Sequence, residues 1–368
     1  MNISFVLAVY NGLHMTQNCY MKLREVYPEA PMVISSGGSN DGTKEWLESL
    51  QDDFLSYIHD DEKITFSDNY NAGIKLVDTE KLVLIHNDMV IGEGFLEAIE
   101  RLLEPDMVLS YTTIEPPIFT AHKRPGKVIL DLGTGFSNFD PIQFDSYVQQ
   151  WKNSDRLYDG AVFFMSGYKK MFEDVGMFDG FSFVPVFCED DDFLLRAKLK
   201  GFKLKTCESA IVYHFVSQTI RFGNDYKDKR VKIEMDSNIN FIRKWGVPMS
   251  SFNQMRYWED EIFTYRTFKM GLTTKFKNLL QVYEPFFDKI NLGGEIPEDF
   301  IELIQPTTRY DIRSKFTLTD DVDVMIYEKQ PFSEEDYSLL NMLRFSLTEY
   351  EPGEYEAGNM KIEIRKKL

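Results

Sequence analysis

Four short strand-like runs, at residues 3–9, 32–35, 54–58 and 82–85, alternate with helix-like stretches at 13–26, 43–50 and 68–77. This alternation leaves few folds open, because it is the pattern of a mostly parallel sheet with helices on its faces. The run 82–85 is purely aliphatic, as strands buried on both faces are. Ligands of open sheets of this kind sit beyond the carboxyl ends of the strands. The loops 10–12, 36–42 and 86–89 are therefore expected to share one rim.

With 368 residues, 43% of them hydrophobic, the chain can bury a core and fill two or three structural units. After residue 85 the pattern loosens, with Pro116-Pro117, Pro125-Gly126 and Gly133-Thr134-Gly135 marking loops. Order returns with a strand expected at 161–165, a helix at 193–200 stopped by Gly201, and a strand at 210–213. Helical character over 227–245 ends at Gly246, with Pro248 beyond it. These signals predict an α/β catalytic domain over 1–246. A helical extension rich in aromatics follows over 247–290, its helices expected within 258–288. The tail, 291–368, reads as a small α/β appendage with a strand at 322–327, a helix near 334–347 and a strand at 361–365.

Charge narrows the partners. Lys and Arg total 41 against 59 Asp and Glu, a net −18, which repels nucleic-acid phosphates and anionic lipid surfaces. No apolar run is long enough to span a bilayer, and residues 3–9, with no basic stretch before them, read as a strand rather than a signal peptide. Cys19, Cys188 and Cys207 are an odd set without metal-ligand spacing, which points to a reducing cytoplasm.

Three loops carry the chemistry. Ser35-Ser36-Gly37-Gly38-Ser39-Asn40-Asp41-Gly42-Thr43 leaves a strand for a helix, offering backbone N–H groups to a nucleotide or, equally, an ordinary turn in which Asp41 or Thr43 caps the helix. His86-Asn87-Asp88-Met89 follows the aliphatic strand, where Asp88 suits a hard divalent ion or merely ends the strand. Glu189-Asp190-Asp191-Asp192 supplies either a general base or first-turn helix charge. His214 ends a further strand. Two like charges about 4 Å apart cost roughly 4 kcal/mol at an effective dielectric near 20. A diphosphate beside Asp88, Glu189 and Asp190 would thus need a divalent cation between them.

In order along the chain, these segments resemble the family 2 glycosyltransferases with the GT-A fold. Ala8-Val9-Tyr10-Asn11 is similar to the family's first-strand motif, Gly38–Thr43 to its GSxDGT/S loop, and Asn71-Ala72-Gly73 to its NxG segment. His86-Asn87-Asp88 stands in place of its DxD-type motif, Val175-Gly176-Met177-Phe178-Asp179 resembles the stretch ending in GGFDE, and residues 189–196 resemble its EDxDxxxR block. The resemblance covers residues 3 to about 246. It implies a nucleotide-diphosphate sugar donor, a hydroxyl acceptor on a glycan, lipid or protein, a Mn²⁺ or Mg²⁺ ion, and inversion at the anomeric carbon. Carried over, Asp88 and His214 are metal ligands, and Asp190 is the base, with Glu189 and Asp191 as the neighbouring candidates. Ala8, Tyr10 and Asp41 lie around the nucleoside, and Ser36, Asn71 and Asn87 also count as donor-binding. Two positions depart: Ser36 replaces an Asp that helps read the base, and His86 replaces the first acid of the metal motif. The competing expectation is a non-catalytic module that binds a nucleotide-sugar or a glycan.

Overall fold

A computed structural model describes residues 2–118, 124–216, 228–261, 263–317 and 321–368. Contacts divide the chain into two units. The first comprises Met1–Gly180, Glu189–Val231 and Trp258–Ile262; the second comprises Phe181–Cys188, Lys232–Tyr257 and Phe263–Leu368.

The first unit is built on a ten-stranded sheet. Its opening half has β1 (Ile3–Val9), β2 (Met32–Gly37), β3 (Leu55–Asp60) and β4 (Lys81–Ile85), in spatial order β3-β2-β1-β4 and all parallel. The helices α1 (Leu13–Val26), α2 (Thr43–Ser49) and α3 (Phe66–Leu76) make the crossovers, as the alternation predicts, with ends displaced by up to two residues. Phe5, Leu7, Ile34, Val83 and Ile85 are buried in one cluster with Leu23 of α1 and Leu47 of α2. The glycine of Asn71-Ala72-Gly73 has a packing reason: a Cβ on Gly73 would come 2.8 Å from Val6 Cγ1, so it lets α3 lie close on the sheet.

Beyond β4 the sheet turns mixed. β5 (Met89–Ile91), β6 (Met107–Glu115), β7 (Lys127–Ile129), β8 (Leu157–Asp159), β9 (Met165–Tyr168) and β10 (Lys203–His214) continue it, and β9 runs antiparallel between β4 and β6. Helices α4 (Phe95–Leu102) and α5 (Pro141–Trp151) fall between these strands along the chain. Five of the nine strand pairings in this sheet are parallel. The strand expected at 161–165 is thus displaced to β9. Residues Phe163 and Phe164 instead turn their rings into an aromatic group around His86. The strand expected at 210–213 is the end of the 12-residue β10, whose pairing with β6 shifts register between Cys207 and Ile211.

After β9 come helices α6 (Lys169–Val175) and α7 (Glu189–Leu199). Helix α7 starts four residues before the expected 193, so all four acids form its first turn, where the helix dipole favours them. It is tied back to α6 and the turn after it: Arg196 pairs with Asp192 and donates to the Val175 and Met177 carbonyls at 2.8 and 2.7 Å.

The second unit has a five-stranded sheet made by β11 (Met270–Thr273), β12 (Lys289–Asn291), β13 (Val324–Glu328), β14 (Gly353–Ala357) and β15 (Met360–Ile364), in order β12-β11-β13-β15-β14. β11 pairs in parallel with β12 and β13, and the last three strands are antiparallel. The helices expected within 258–288 give way to β11, a single turn at Leu280–Tyr283 and a 3₁₀ turn at Glu284–Phe286. Periodicity cannot separate a short apolar run such as 270–273 from a buried helix turn, and here neighbouring strands decide it. Residues 247–290 and 291–368 contribute to the same unit, and the aromatics Phe268, Tyr283, Phe286 and Phe287 fill its core. A helix spans Arg230–Trp245; residue 227, the expected start, lies outside the described residues. Among the described residues no helix is long and apolar enough to cross a membrane.

Candidate functional site

The loops after β1 and β2 are laced together. The Asn11 backbone N–H donates to Ser39 Oγ at 2.9 Å, and Asn11 Oδ1 accepts from the Asn40 N–H at 2.9 Å. Asp41 does not cap its own helix: its Oδ2 accepts the Leu13 N–H at 2.8 Å at the start of α1, and its Oδ1 accepts the Thr43 hydroxyl at 2.6 Å. Gly38, at φ 75°, lies so close to Lys63 that a Cβ would meet its backbone at 2.5 Å, which fixes a glycine at that turn. Lys63 Nζ stands 4.2 Å from the centre of the Tyr10 ring, and Ser36 Oγ is held by Ser39 and by His59 Nδ1 at 3.1 Å. Ala8 is half-buried within β1, opposite Ser35.

The loop after β4 joins this rim. Asn87 Nδ2 donates to Thr16 Oγ1 of α1 at 3.0 Å, and it lies 3.6 Å from where a Cβ on Gly12 would be. Asp88 is buried, and β10 runs antiparallel to β5 with His214 opposite Met89. That register brings His214 Nε2 within 3.3 Å of Asp88 Oδ1, while His86 Nδ1 lies 4.0 Å from the same oxygen. One ligand atom from each of His86, Asp88 and His214 falls within 4.8 Å of the others. Nε2 of His86 and Nε2 of His214 are both buried without a hydrogen-bond partner among the described residues. Two imidazole nitrogens and a carboxylate around one point fit a divalent cation.

Behind His214 stands a carboxylate the sequence did not single out. Glu115 ends β6 and faces His214 Nδ1 at 3.4 Å, while Arg124 Nη2 at 2.7 Å and Lys127 Nζ at 3.2 Å grip its other lone pairs. Burial works against the Glu115 charge, yet His214, Arg124 and Lys127 hold its pKa down, to about 2. Burial alone would lower the pKa of His214, but Asp88 and Glu115 on its two sides raise it to about 9. His86 goes the other way: burial outweighs Asp88, with His214 adding to the effect, and lowers it to about 4. Its ring stacks on Phe163 at 4.8 Å and meets the edge of Phe164 at 5.4 Å.

Phe163 also links this cluster to the acids of α7, because its backbone N–H, with those of Asp190 and Asp191, favours the ionised Asp190 carboxylate. The chain reaches α7 through Phe187 and Cys188, at φ 82° and 67°, a left-handed stretch that costs side-chain-bearing residues roughly 1 kcal/mol or more each. Burial raises the pKa of both Asp190 and Asp191. Asp190 is drawn back by its N–H donors and by Arg124, whereas Asp191 faces only the charges of Asp190 and Asp192. Of the two, Asp190 is therefore the more readily ionised. Glu189 is buried, and Asp192 is committed to Arg196.

Asn71 is the candidate this rim does not gather. Its side chain bonds the backbone of Phe178 at both ends, at 2.8 and 2.9 Å, and so ties α3 to the chain after α6. Phe163 opens the segment that resembles the family's GGFDE stretch, whereas Glu115 and Arg124, not singled out in sequence, sit in the irregular middle where no motif marks them. Arg124 Nη1 is also buried without a hydrogen-bond partner among the described residues, and Arg124 lies near enough to favour the Asp190 charge.

Residues 4–172 match the family described as Glycosyl transferase family 2. No curated protein sequence matches the chain. Solved structures similar to it include the mannosyltransferase PcManGT from Pyrobaculum calidifontis in complex with GDP-Man and Mn²⁺, at 16% identity and TM-score 0.42, covering 69% of this chain and 64% of that one. GalNAc-T7 with UDP, GalNAc and Mn²⁺ is similar at 10% identity and TM-score 0.46, covering 71% and 54%. TarS of S. aureus is similar at 12% identity and TM-score 0.43, covering 71% and 50%. The chain thus spans less than two thirds of the length of each of these structures.

Proposed function

We propose that this chain, whose residues 4–172 match glycosyl transferase family 2, moves a sugar from a nucleotide-diphosphate donor to an acceptor hydroxyl with inversion at the anomeric carbon. The observation that carries the reading is the junction at Phe163, which stacks on His86 of the cation cluster and donates its N–H toward the ionised Asp190. Acid–base and charge-neutralising groups thereby meet through one residue.

Asp88 and His214 would hold a Mn²⁺ or Mg²⁺ ion. When bound, that ion supplies positive charge for the leaving diphosphate. The loops after β1 and β2 supply the nucleoside cradle, with Tyr10 and Ser36 along it. Asp190 accepts the acceptor's hydroxyl proton as that oxygen bonds to the anomeric carbon. The bond from carbon to diphosphate breaks on the opposite side, and its electron pair leaves with the nucleotide diphosphate. Asp191, whose charge burial and its acidic neighbours oppose more strongly, is the weaker candidate for the base. Three buried cysteines, none of them in a disulfide, support a reducing, cytoplasmic location.

Release of nucleotide diphosphate from a donor panel, with acceptor or water, tests the reading. Asp190→Asn should lower turnover by about 10²- to 10⁴-fold with donor affinity nearly unchanged, since a general base acts in the transition state. Full activity in excess EDTA would remove the cation from the scheme, and near-normal turnover of Asp190→Asn would remove the base. A binding-only module would show donor affinity with no turnover under any condition.

A further inference from the structure

The cluster on the rim contains one more donor than the two ligands that hold the cation in the reading above, on which this inference rests. We propose that His86 is a third ligand, giving a two-imidazole, one-carboxylate set that selects a transition-metal dication such as Mn²⁺, Co²⁺ or Zn²⁺ over Mg²⁺. Asp88 Oδ1 is the common point, with His214 Nε2 at 3.3 Å and His86 Nδ1 at 4.0 Å. Two atoms bound to one ion at about 2.0–2.2 Å each stand no more than about 4.4 Å apart, and both separations meet that limit.

The surroundings of the two rings agree. Each turns one nitrogen, Nε2 of His214 and Nδ1 of His86, toward the same Asp88 oxygen. His214 already turns its other nitrogen to Glu115, so Nε2 is the one directed at Asp88. Glu115 thereby acts as a positioning residue for that ring. The His86 ring is held against Phe163, Phe164 and Phe66 at centroid distances of 4.8, 5.4 and 6.0 Å, so its plane is fixed by packing rather than by a competing hydrogen bond.

Donor chemistry then sets the choice of ion. Mg²⁺ favours oxygen ligands in a strict octahedron and keeps much of its water, so replacing an acid by an imidazole weakens its hold. Imidazole nitrogen binds first-row transition ions progressively better from Mn²⁺ toward Co²⁺ and beyond.

The test uses the full chain stripped of metal, with no donor present. Mn²⁺ alone and Mg²⁺ alone are titrated calorimetrically, and pulsed electron paramagnetic resonance counts the nitrogens bound to Mn²⁺. We expect two nitrogen couplings in the wild-type protein and Mn²⁺ held at least about tenfold more tightly than Mg²⁺. His86→Ala should lose one coupling, and His86→Asp should bind both ions while narrowing the Mn²⁺ to Mg²⁺ ratio. A single nitrogen in the wild-type spectrum overturns the proposal without any variant having to fold. An unchanged ratio in a folded His86→Asp protein does the same, while leaving the cation reading in place. If the wild type binds neither ion, even with uridine diphosphate added, both this proposal and the cation reading fall together.

Discussion

Each unit buries a cluster of charged or titratable side chains, and the two clusters are finished differently. In the second unit, Glu284 is wholly buried and accepts from Arg243 Nη2 at 2.7 Å and from Lys315 Nζ at 2.6 Å, with Arg243 Nε at 3.1 Å from both carboxylate oxygens. Its charge stays on because those two cations more than offset the burial that opposes it. In the first unit, Glu115 is gripped in a similar way by Arg124 and Lys127, but it passes its remaining capacity to His214, whose other ring nitrogen faces Asp88 alongside His86. A buried charge is therefore no sign of a site in itself. Ligand atoms from three side chains that converge on one point are.

The sharpest way to break this comparison is at Glu284. Glu284→Ala would strand Arg243 and Lys315 as buried cations, and losing one partner of such a network costs about 3–5 kcal/mol. Chemical denaturation should show that loss, while calorimetry on the protein that remains folded should find cation binding unchanged. Weakened cation binding would show that the two clusters are not independent.

Glu115→Gln is the matching change in the first unit. It keeps the shape and removes the charge that orients His214 and pairs with Arg124 and Lys127, so cation affinity should fall by about 10- to 100-fold and stability should fall too. An unaltered affinity would reduce Glu115 to a purely structural anchor.

The smallest effect is read with pH. In the metal-free protein, burial opposes the charge on His214, but Asp88 and Glu115 outweigh it and raise the pKa from its ordinary 6.5 to about 9, even with Arg124 and Lys127 facing Glu115 from its other side. A raised base contributes stability that is complete below about pH 6.5 and is lost as pH climbs through about 9. A cation needs that nitrogen unprotonated, so binding should release a proton and tighten by up to about tenfold per pH unit between 7 and 9. Glu115, lowered to about 2, works in the opposite sense: its contribution is present above about pH 4.5 and is lost as acid takes the pH toward 2. Cation affinity flat between pH 7 and 9 would mean that His214 is not a ligand.

Much of the first half of the large sheet was legible, because β1 to β4 are aliphatic runs separated by helices and closed by glycine-rich or Asn/Asp turns. Those are local signals. In the second unit the hairpin of β14 and β15 was half missed, although the alternation of Glu354, Tyr355 and Glu356 ahead of Gly358 and Asn359 is a hairpin signal. β11 lies where the sequence predicts helix, because four apolar or small residues carry no period long enough to read.

The sequence by itself determined the alternating α/β class, the rim on which its loops meet, and the acids and histidines that could do chemistry there. Only the tertiary structure decided which of those groups are already spent. Asp41 and Asn71 bond the backbone, and Asp192 bonds Arg196, whereas Asp88, His86 and His214 converge. That convergence depends on β5 and β10 pairing across a long stretch of chain, and the pairing of β10 with β6 puts Glu115 behind His214. Local propensity carries no information about which distant strands will pair, so neither the orienting carboxylate nor the converging ligand atoms could be read before the sheet closed around them.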